Sequence, residues 1–187
     1  GLLILDADSP DLKTLFSEVA KKELFEEVTF RSSKKHLNRL KSEYKLQAKP
    51  REINLFYIEN SVRKRLVKAE GGFSTSDKSI FWTHSEMKGL IADSPEKISP
   101  NVILRTVYQE ILLPDLAYVG GAVEIAYWLE LKPVFNAFQL DFPVPMVRNS
   151  YFVLKNKSIV WLTGKKIQFD SLFDDIDIQV NKLTKEL

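Results

Sequence analysis

The spacing of hydrophobic residues predicts a strand followed by a helix at the start of the chain. Leu2–Leu5 is a short apolar run that indicates a buried strand, and Asp6 and Asp8 fall in the loop after it. Ser9 and Pro10 are typical of an N-cap and of the first residue of a helix. This stretch therefore predicts a βα unit, whose loop lies where α/β sheets bind ligands. The predicted buried face of the helix is formed by Leu12, Leu15, Phe16, Val19 and Ala20.

A second helical pattern is weaker and lies in a basic stretch. Ser32 or Ser33 is expected to begin this helix, and Lys49-Pro50 is expected to end it. The predicted apolar face is formed by Phe30, Leu37, Leu40 and Tyr44.

The hydrophobic period changes to two after Ile53, which predicts a small antiparallel meander. Gly71-Gly72 and Ser76-Asp77 supply turn residues between its strands. The predicted strands are Leu55–Ile58, Val62–Val67 and Ser79–Trp82.

A helix is predicted directly after the meander. Thr83 and Glu86 have the spacing of a capping box, and the helical pattern extends through Ile91. We interpret residues 53–98 as an antiparallel subdomain inserted between the elements of an α/β core.

A further helix is predicted after the meander subdomain. Ser99 and Pro100 are expected to begin it, and Pro114 is expected to stop it. The residues predicted to face the core are Val102, Ile103, Val107, Ile111 and Leu112.

A strand, a glycine turn and another helix follow, and they carry the main candidate chemistry. Leu116–Val119 predicts a short buried strand, Gly120 and Gly121 a turn, and residues 122–129 a helix. Such a turn presents backbone N–H groups and the positive end of a helix, which suits a phosphate or a carboxylate. The predicted binding residues around this turn are Arg105, Gln109, Gly120, Gly121 and Glu124.

Three of the candidate sites have structural alternatives. Arg105 could instead pair with Glu110 or Glu124, and a double glycine could be only a tight turn. Arg148, Asn149 and Ser150 follow a predicted strand and are candidates for either a turn or a substrate contact.

The last part of the chain predicts strands and a closing helix. A break is expected at Lys132-Pro133. Residues 174–187 predict a polar helix with a narrow stripe of Ile176, Val180 and Leu183, which we interpret as the start of a coiled-coil arm. The predicted strands are Pro143–Val147, Tyr151–Leu154 and Ile159–Leu162.

Composition narrows the function classes without selecting one. The 187 residues are 44% hydrophobic and 28% charged, with a formal charge of +2, which is typical of a globular domain. The absence of cysteine excludes a disulfide framework and a cysteine nucleophile, and fits a cytoplasmic location. No apolar run is long enough for a membrane span. Because the chain begins at Gly1, we expect an internal piece of a longer protein.

Charge and short motifs leave two other function classes open. Residues 31–68 carry twelve Lys or Arg and three Glu, so a basic binding or dimerisation module is one alternative. We expect no nucleic-acid partner, because aromatic residues are not interleaved with these charges. Asp6 and Asp8 allow a DxD-type phosphohydrolase, but an N-cap region rich in Asp explains them better, because Pro10 stands where such enzymes usually have threonine. No metal site and no catalytic base are evident.

Several separated motifs resemble one family. They are SPNVILRTVYQE from Ser99, LPDLAYVGGAVEIAYWLELK from Leu113 and FPVPMVRNS from Phe142. This order and spacing resemble the cysteine-adding enzymes of bacillithiol biosynthesis, the BshC family of cysteine ligases. The chain departs from the family pattern where Thr106, Ala122-Val123 and Val147 replace Pro, Pro-Gly and Pro.

The resemblance implies a fold and an activity. It implies an α/β, Rossmann-like (nucleotidyltransferase-like) core fragment with an inserted antiparallel β subdomain and a C-terminal helix. It also implies the addition of L-cysteine to glucosaminyl malate, with ATP as a plausible source of carboxylate activation. A full-length homodimer is expected, and the isolated piece is expected to be inactive.

We divide the chain into four predicted parts. Residues 1–52 form the βα unit and the basic helical segment, and residues 53–98 form the inserted subdomain. Residues 99–173 form the core segment with the ligand crevice, and residues 174–187 begin the helical arm.

Overall fold

The computed structural model describes residues 4–173 and residue 184. The chain separates into two compact units, residues 1–148 and residues 149–187. The fourth predicted part, the arm at 174–187, lies outside the described residues apart from residue 184. The predicted division of residues 1–173 into three parts stays a prediction.

The first unit begins with two helices, α1 (Pro10–Glu26) and α2 (Val28–Leu40). Glu27 joins them in the left-handed conformation, with φ of 54°. An antiparallel sheet and helix α3 (His84–Asp93) follow. The strands of that sheet are β1 (Leu55–Glu59), β2 (Val62–Ala69), β3 (Gly72–Thr75), β4 (Phe81–Thr83) and β5 (Ile98–Pro100).

The antiparallel sheet has the order β4-β3-β2-β1-β5 and confirms an antiparallel meander. The predicted turn residue Gly72 instead begins strand β3, which was not predicted, and β5 was not predicted either. Tyr57 pairs with Lys64 of β2 on one side and with Ile98 of β5 on the other. The predicted capping box is also present, since the N–H of Glu86 donates to Thr83 Oγ1 and the N–H of Thr83 donates to Glu86 Oε2.

Two strands and the helix between them follow helix α4 (Val102–Leu112) and complete the first unit. Strand β6 (Ala117–Gly120), helix α5 (Ala122–Ala137) and strand β7 (Val144–Val147) follow in order, and β6 and β7 are parallel. A parallel pair needs such a crossover, so this is a βαβ arrangement with the glycine turn at its first strand end.

One hydrophobic core joins the sheet to the helices of the first unit. Helix α1 packs against α3 and α4, and α2 packs against α5. The fully buried side chains of this core include Phe16, Leu24, Leu55, Leu66, Phe73, Met87, Ile91, Tyr108, Trp128 and Phe135.

The predicted helices α1 and α2 form with different faces and bounds. Leu15 is exposed, and Lys13 and Glu23 are buried instead because each finds polar partners inside. Helix α2 begins before the predicted Ser32 or Ser33, and its bounds end at Leu40 rather than at Lys49-Pro50. The Ser33 hydroxyl donates to the carbonyl of Thr29, so it is a buried helical residue and not a cap.

The prediction that Ser99 and Pro100 begin α4 is wrong. Both belong to β5, an edge strand, where the missing N–H of a proline is tolerated. Asn101 is the N-cap, and its Oδ1 accepts the N–H groups of Ile103 and Leu104. Because the start shifts, Val102 is exposed and does not face the core as predicted.

The predicted break at Lys132-Pro133 is also wrong, because α5 continues through Pro133. A proline cannot donate to the carbonyl one turn before it, which here is that of Leu129. His36 of α2 lies with its Nε2 atom 3.3 Å from the Leu129 oxygen. In the tautomer that carries a proton on Nε2, this tertiary contact satisfies the freed carbonyl.

Two predicted buried strands are exposed where they are described. β6 forms close to the predicted position, but Leu116 and Val119 are 94% and 61% exposed. Leu2 lies outside the described residues, and Ile4 and Leu5 are exposed and outside any strand. The hydrophobicity of these residues predicted that they would be buried, but no other part of the described chain packs over them.

The second unit has helices where strands were predicted. Tyr151–Leu154 has no regular secondary structure, and Ile159–Leu162 lies in helix α6 (Asn156–Gly164). A run of four apolar residues fits either conformation by period alone. A short 3-10 helix, Phe169–Phe173, follows α6.

No helix of the described residues combines the length and the hydropathy that crossing a membrane requires.

Glu110 of α4 is buried, and the pKa of its carboxyl predicts how the stability of the protein depends on pH. Burial raises the pKa of its carboxyl, against the hydrogen bond from the Asp115 N–H, and the carboxylates of Asp115 and Asp141 add to the rise. Its Oε1 accepts that N–H at 3.0 Å, and its buried Oε2 has no hydrogen-bond partner. Because the folded-state pKa is raised, this carboxyl contributes stability below its unfolded pKa that is lost as the pH rises through the folded pKa.

We therefore expect Glu110→Gln to gain stability relative to the unsubstituted protein as the pH rises from about 4 to about 8. Urea unfolding at several pH values measures the difference. Glu26→Gln, at an exposed position of α1, is the matched control. A difference in unfolding free energy that does not change with pH would contradict the expectation.

Candidate functional site

The glycine turn between β6 and α5 has the predicted strand–turn–helix geometry. Gly120 ends β6 and Gly121 is the N-cap of α5, with φ of −67° and ψ of 161°. Gly121 has no side chain to cap the first-turn N–H groups of α5, so these groups stay available to a ligand. The backbone N–H of Gly121 itself is occupied, because it donates to Glu124 Oε2 at 2.6 Å.

Opposite charges lie over Gly121. A Cβ atom at this position would be 3.3 Å from Arg148 Nη2 and 3.3 Å from Glu124 Oε2. The Arg148 backbone N–H donates to the Gly120 carbonyl at 2.8 Å, and this bond fixes the arginine at the end of β7. Gly121 therefore makes room for the site's own guanidinium and carboxylate, in addition to any ligand.

Gly120 has a different role from Gly121. A Cβ at Gly120 would lie 2.7 Å from Cε1 of Tyr118, and the Tyr118 ring stacks on Trp128 with centroids 4.0 Å apart. Trp128 is 1% exposed, so this ring pair is anchored in the core. The absence of a side chain at Gly120 is a packing requirement.

The carboxylate of Glu124 acts electrostatically on two tyrosines, Tyr118 and Tyr127. Burial raises the pKa of Tyr118, and the Glu124 carboxylate adds to the rise while Arg148 opposes it. Burial also raises the pKa of Tyr127, and the Glu124 carboxylate again adds to the rise. Both phenols therefore stay protonated at neutral pH and can donate hydrogen bonds.

Arg105 contacts a different part of the first unit. Its guanidinium lies over the ring of Tyr108, 5.6 Å from the centroid. It lines a pocket of about 380 Å³ together with Asp8, Arg63 and Asn101. Among the described residues it forms no ion pair with Glu110 or Glu124, so neither predicted alternative partner holds it.

A buried lysine fixes the loop of Asp6 and Asp8. Lys13 Nζ donates to the carbonyl of Ile98 at 3.0 Å and lies 3.1 Å from Asp8 Oδ1. Burial lowers the pKa of Lys13, and Asp8 partly restores it. Asp6 Oδ1 accepts the N–H of Asp8. Both aspartates have structural partners, and the described residues contain no group of three or more metal-binding side chains. This geometry does not favour a DxD-type phosphohydrolase.

The structure brings together four of the predicted binding residues, Gly120, Gly121, Glu124 and Arg148. Gln109 is half-buried in α4. Asn149 and Ser150 are exposed and belong to the second unit. Binding roles for these three residues and for Arg105 stay predictions.

The sequence reasoning missed Tyr118 and Lys13. A single tyrosine in a short strand carries no signal of its own, and Lys13 falls on a helix face where hydrophobic residues were expected. The pair Arg63 and Arg65 did carry a signal, since two arginines at a spacing of two in a strand share one face.

The chain matches the family model described as "Bacillithiol biosynthesis BshC, N-terminal Rossmann-like domain" over residues 1–149. The chain belongs to the BshC family. Three of its curated relatives carry the name "Putative cysteine ligase BshC". The Rossmann-like α/β fold class predicted from the sequence is confirmed, with β6-α5-β7 as its parallel βαβ element.

The relatives extend well beyond this chain. The protein of Flavobacterium johnsoniae is 40% identical over 187 residues, which is all of the chain and 35% of the relative. That of Cytophaga hutchinsonii is 38% identical over 180 residues, covering 92% of the chain and 33% of the relative. That of Bacillus pumilus is 34% identical over 146 residues, covering 75% of the chain and 27% of the relative. The chain therefore spans about a third of the length of the Flavobacterium johnsoniae and Cytophaga hutchinsonii proteins.

Proposed function

We propose that the full-length protein adds L-cysteine to glucosaminyl malate in bacillithiol biosynthesis, and that the glycine turn of this chain binds the L-cysteine. Family membership and the names of the relatives support the activity. One observation carries the assignment of residues. Glu124 and Arg148, of opposite charge, both approach within 3.3 Å of the position that a Cβ of Gly121 would occupy.

A free amino acid matches this arrangement because it carries a carboxylate and an ammonium group on neighbouring atoms. The carboxylate faces the Arg148 guanidinium, which can bind it through two parallel hydrogen bonds. The first-turn N–H groups of α5 and the positive end of that helix add to this attraction. The ammonium group faces Glu124, of which only Oε2 is engaged by the Gly121 N–H.

In the proposed chemistry the amine of the glucosaminyl group attacks the carboxyl carbon of L-cysteine after that carboxylate has been activated. The new C–N bond forms, the C–O bond to the activating group breaks and that group leaves with its oxygen, and the amine loses a proton. Negative charge develops on the remaining carbonyl oxygen when the amine attacks, and fixed donors stabilise that charge most when they are already in position. Arg148 is held by its backbone bond to Gly120 and is the donor that we assign to this role. ATP stays part of the proposal as the source of the activating group, and no residue of the described chain is assigned to it.

The assignment predicts that Arg148→Ala weakens L-cysteine binding by the full-length protein. Loss of a charged hydrogen bond costs about 1.5–3 kcal/mol, which corresponds to roughly 10- to 100-fold in affinity. Cysteamine lacks the carboxylate and is expected to bind Arg148→Ala and the unsubstituted protein equally. Arg148→Lys is expected to recover only part of the loss, since lysine cannot form the bidentate pair. Isothermal titration with both ligands measures these effects.

Lys132→Ala is the matched control, because it removes one positive charge from the exposed surface of α5. It is expected to leave the affinity for L-cysteine unchanged. Equal losses of L-cysteine and cysteamine binding in Arg148→Ala would contradict recognition of the carboxylate by Arg148. Thermal unfolding of each variant distinguishes loss of binding from loss of folding.

The remaining family-level expectations belong to the same proposal. They are a cytoplasmic location and a homodimer joined through an arm that begins near residue 174. Sedimentation of the full-length protein as a monomer at micromolar concentration would contradict the dimer.

A further inference from the structure

A row of arginines lies on the face of the antiparallel sheet that points away from the core. Successive residues of a strand alternate between the two faces, and Leu66 of β2 is fully buried on the core side. Arg63 and Arg65 therefore lie on the other face. Their register partners are Ile58 and Phe56 of β1, which share that face with them.

These arginines line a cavity of about 480 Å³, which we call the arginine groove. At one end the groove adjoins the pocket of Arg105, because Arg63 and Asn101 line both. The residues that matter for its chemistry are Arg51, Asn54, Phe56, Arg63, Arg65 and Asn101.

The positive charge of the groove is largely uncompensated. Within the described chain, Arg51, Arg63 and Arg65 have no carboxylate within ion-pair distance. Asp77 also lines the groove, but it pairs with Lys64 at 2.9 Å and accepts hydrogen bonds from Thr75 and Ser79. Three guanidinium groups therefore line the groove, and none of them forms an ion pair with a carboxylate of the described residues.

One of these guanidinium groups has an unmet hydrogen bond. The Nε atom of Arg65 is buried and has no hydrogen-bond partner in the described chain. A buried donor without an acceptor costs free energy, and an acceptor that reaches this atom would remove that cost.

The walls of the groove are fixed by a buried hydrogen-bond network. Glu23, which is fully buried, accepts the Nδ2–H and the backbone N–H of Asn54. Asn54 Oδ1 in turn accepts the N–H of Arg51 and the Nδ2–H of Asn101. The Arg63 guanidinium lies 4.0 Å from the centroid of the Phe56 ring. These contacts hold the groove in place before any ligand arrives, which reduces the entropy cost of binding.

We infer that the arginine groove binds an anion of the diphosphate class. Three guanidinium groups match the charge of about −3 of a diphosphate better than that of a single carboxylate, and their forked N–H groups fit phosphate oxygens. A single-stranded nucleic acid fits less well, because Arg63 covers the Phe56 ring and leaves it unavailable for base stacking. This site is separate from the glycine turn and does not depend on the role proposed for Gly121 and Arg148.

Inorganic pyrophosphate is the probe that tests the inference in the full-length protein. Arg63→Ala and Arg65→Ala are each expected to weaken pyrophosphate binding at least tenfold in isothermal titration. Arg39→Ala, which removes an exposed arginine of α2, is expected to change it less than twofold. Malate at the same ionic strength tests a dicarboxylate, and a single-stranded RNA oligonucleotide tests nucleic acid; both are expected to bind more weakly than pyrophosphate.

The inference is overturned if pyrophosphate does not bind, if both groove variants bind it as the unsubstituted protein does, or if malate or RNA binds more tightly. L-cysteine binding provides the cross-check. Arg65→Ala is expected to leave the affinity for L-cysteine unchanged. The loss of pyrophosphate affinity that Arg65→Ala causes is expected to be the same with and without Arg148→Ala. The groove and the L-cysteine site can therefore fail independently.

Discussion

Gly121→Val in the full-length protein is expected to lower kcat/KM for L-cysteine by about a hundredfold. The new Cβ would lie 3.3 Å from both Arg148 Nη2 and Glu124 Oε2, so the two charged groups must move apart to admit the valine methyl groups. Displacement of binding groups by about 1 Å is enough for an effect of this size. The backbone of Gly121 is extended, with φ of −67°, and valine adopts this conformation without strain.

The thermal unfolding temperature distinguishes loss of the binding site from loss of folding in Gly121→Val. We expect a small change, because the neighbours of the new side chain are the ends of two flexible side chains rather than backbone. Gly164→Val is the matched control, since a Cβ at Gly164 would meet nothing within 4 Å. Unchanged kinetics in Gly121→Val, or a loss in activity matched by an equal loss in folding, would mean that the glycine turn is not the binding site.

Gly72→Ala is expected to have the largest effect on stability, a loss of about 3 kcal/mol or more. Gly72 lies opposite Thr83 in the β3–β4 pair, and its Cβ would lie 2.0 Å from the backbone oxygen of Trp82. Backbone atoms cannot move aside as a flexible side chain does, so the pairing of β3 with β4 must open. Denaturant unfolding measures the loss, and amide hydrogen exchange shows whether β3 and β4 lose protection first.

Gly89→Ala is the control of opposite sign. Gly89 lies inside α3, where the nearest heavy atom to a new Cβ is Asp93 Oδ2 at 4.0 Å. Alanine is more favourable than glycine in a helix interior, so we expect Gly89→Ala to raise the free energy of unfolding by roughly 0.5–1 kcal/mol. A stable Gly72→Ala variant with full protection of β4 would show that the sheet edge is not fixed in the way described.

Arg105 lines a pocket whose lining includes neither Gly120 nor Gly121, and this changes how the site should be tested. Arg105 and Gln109 are one turn apart in α4, and the sequence suggested that they border the same crevice as Gly121. Their helix is preceded by β5, which pairs with the antiparallel sheet and directs Arg105 toward the pocket of Asp8 and Arg63. Variants of Arg105 and of Arg148 therefore report on different surfaces, and an effect of one does not support the role of the other.

The sequence by itself determined the elements whose signals are local. The period of two after Ile53, the turn residues and the Thr83–Glu86 spacing predicted the meander and α3, because strand alternation and caps depend on neighbouring residues. The strand–glycine–helix order predicted the turn at Gly120-Gly121 in the same way. Family motifs predicted the Rossmann-like class, which the family model confirms.

Only the tertiary structure decided features that depend on contacts between distant segments. Ser99 and Pro100 are strand residues because β1 offers them a partner, and α5 continues through Pro133 with His36 beside the freed Leu129 carbonyl. Lys13 and Glu23 are buried because distant backbone groups satisfy them. Arg148 and Glu124 both lie close to Gly121 because β7 pairs with β6. A hydrophobic period in the sequence indicates which residues are buried on average. Whether a particular polar group is buried, and where a charge lies, depends on the partner that the fold brings close to it.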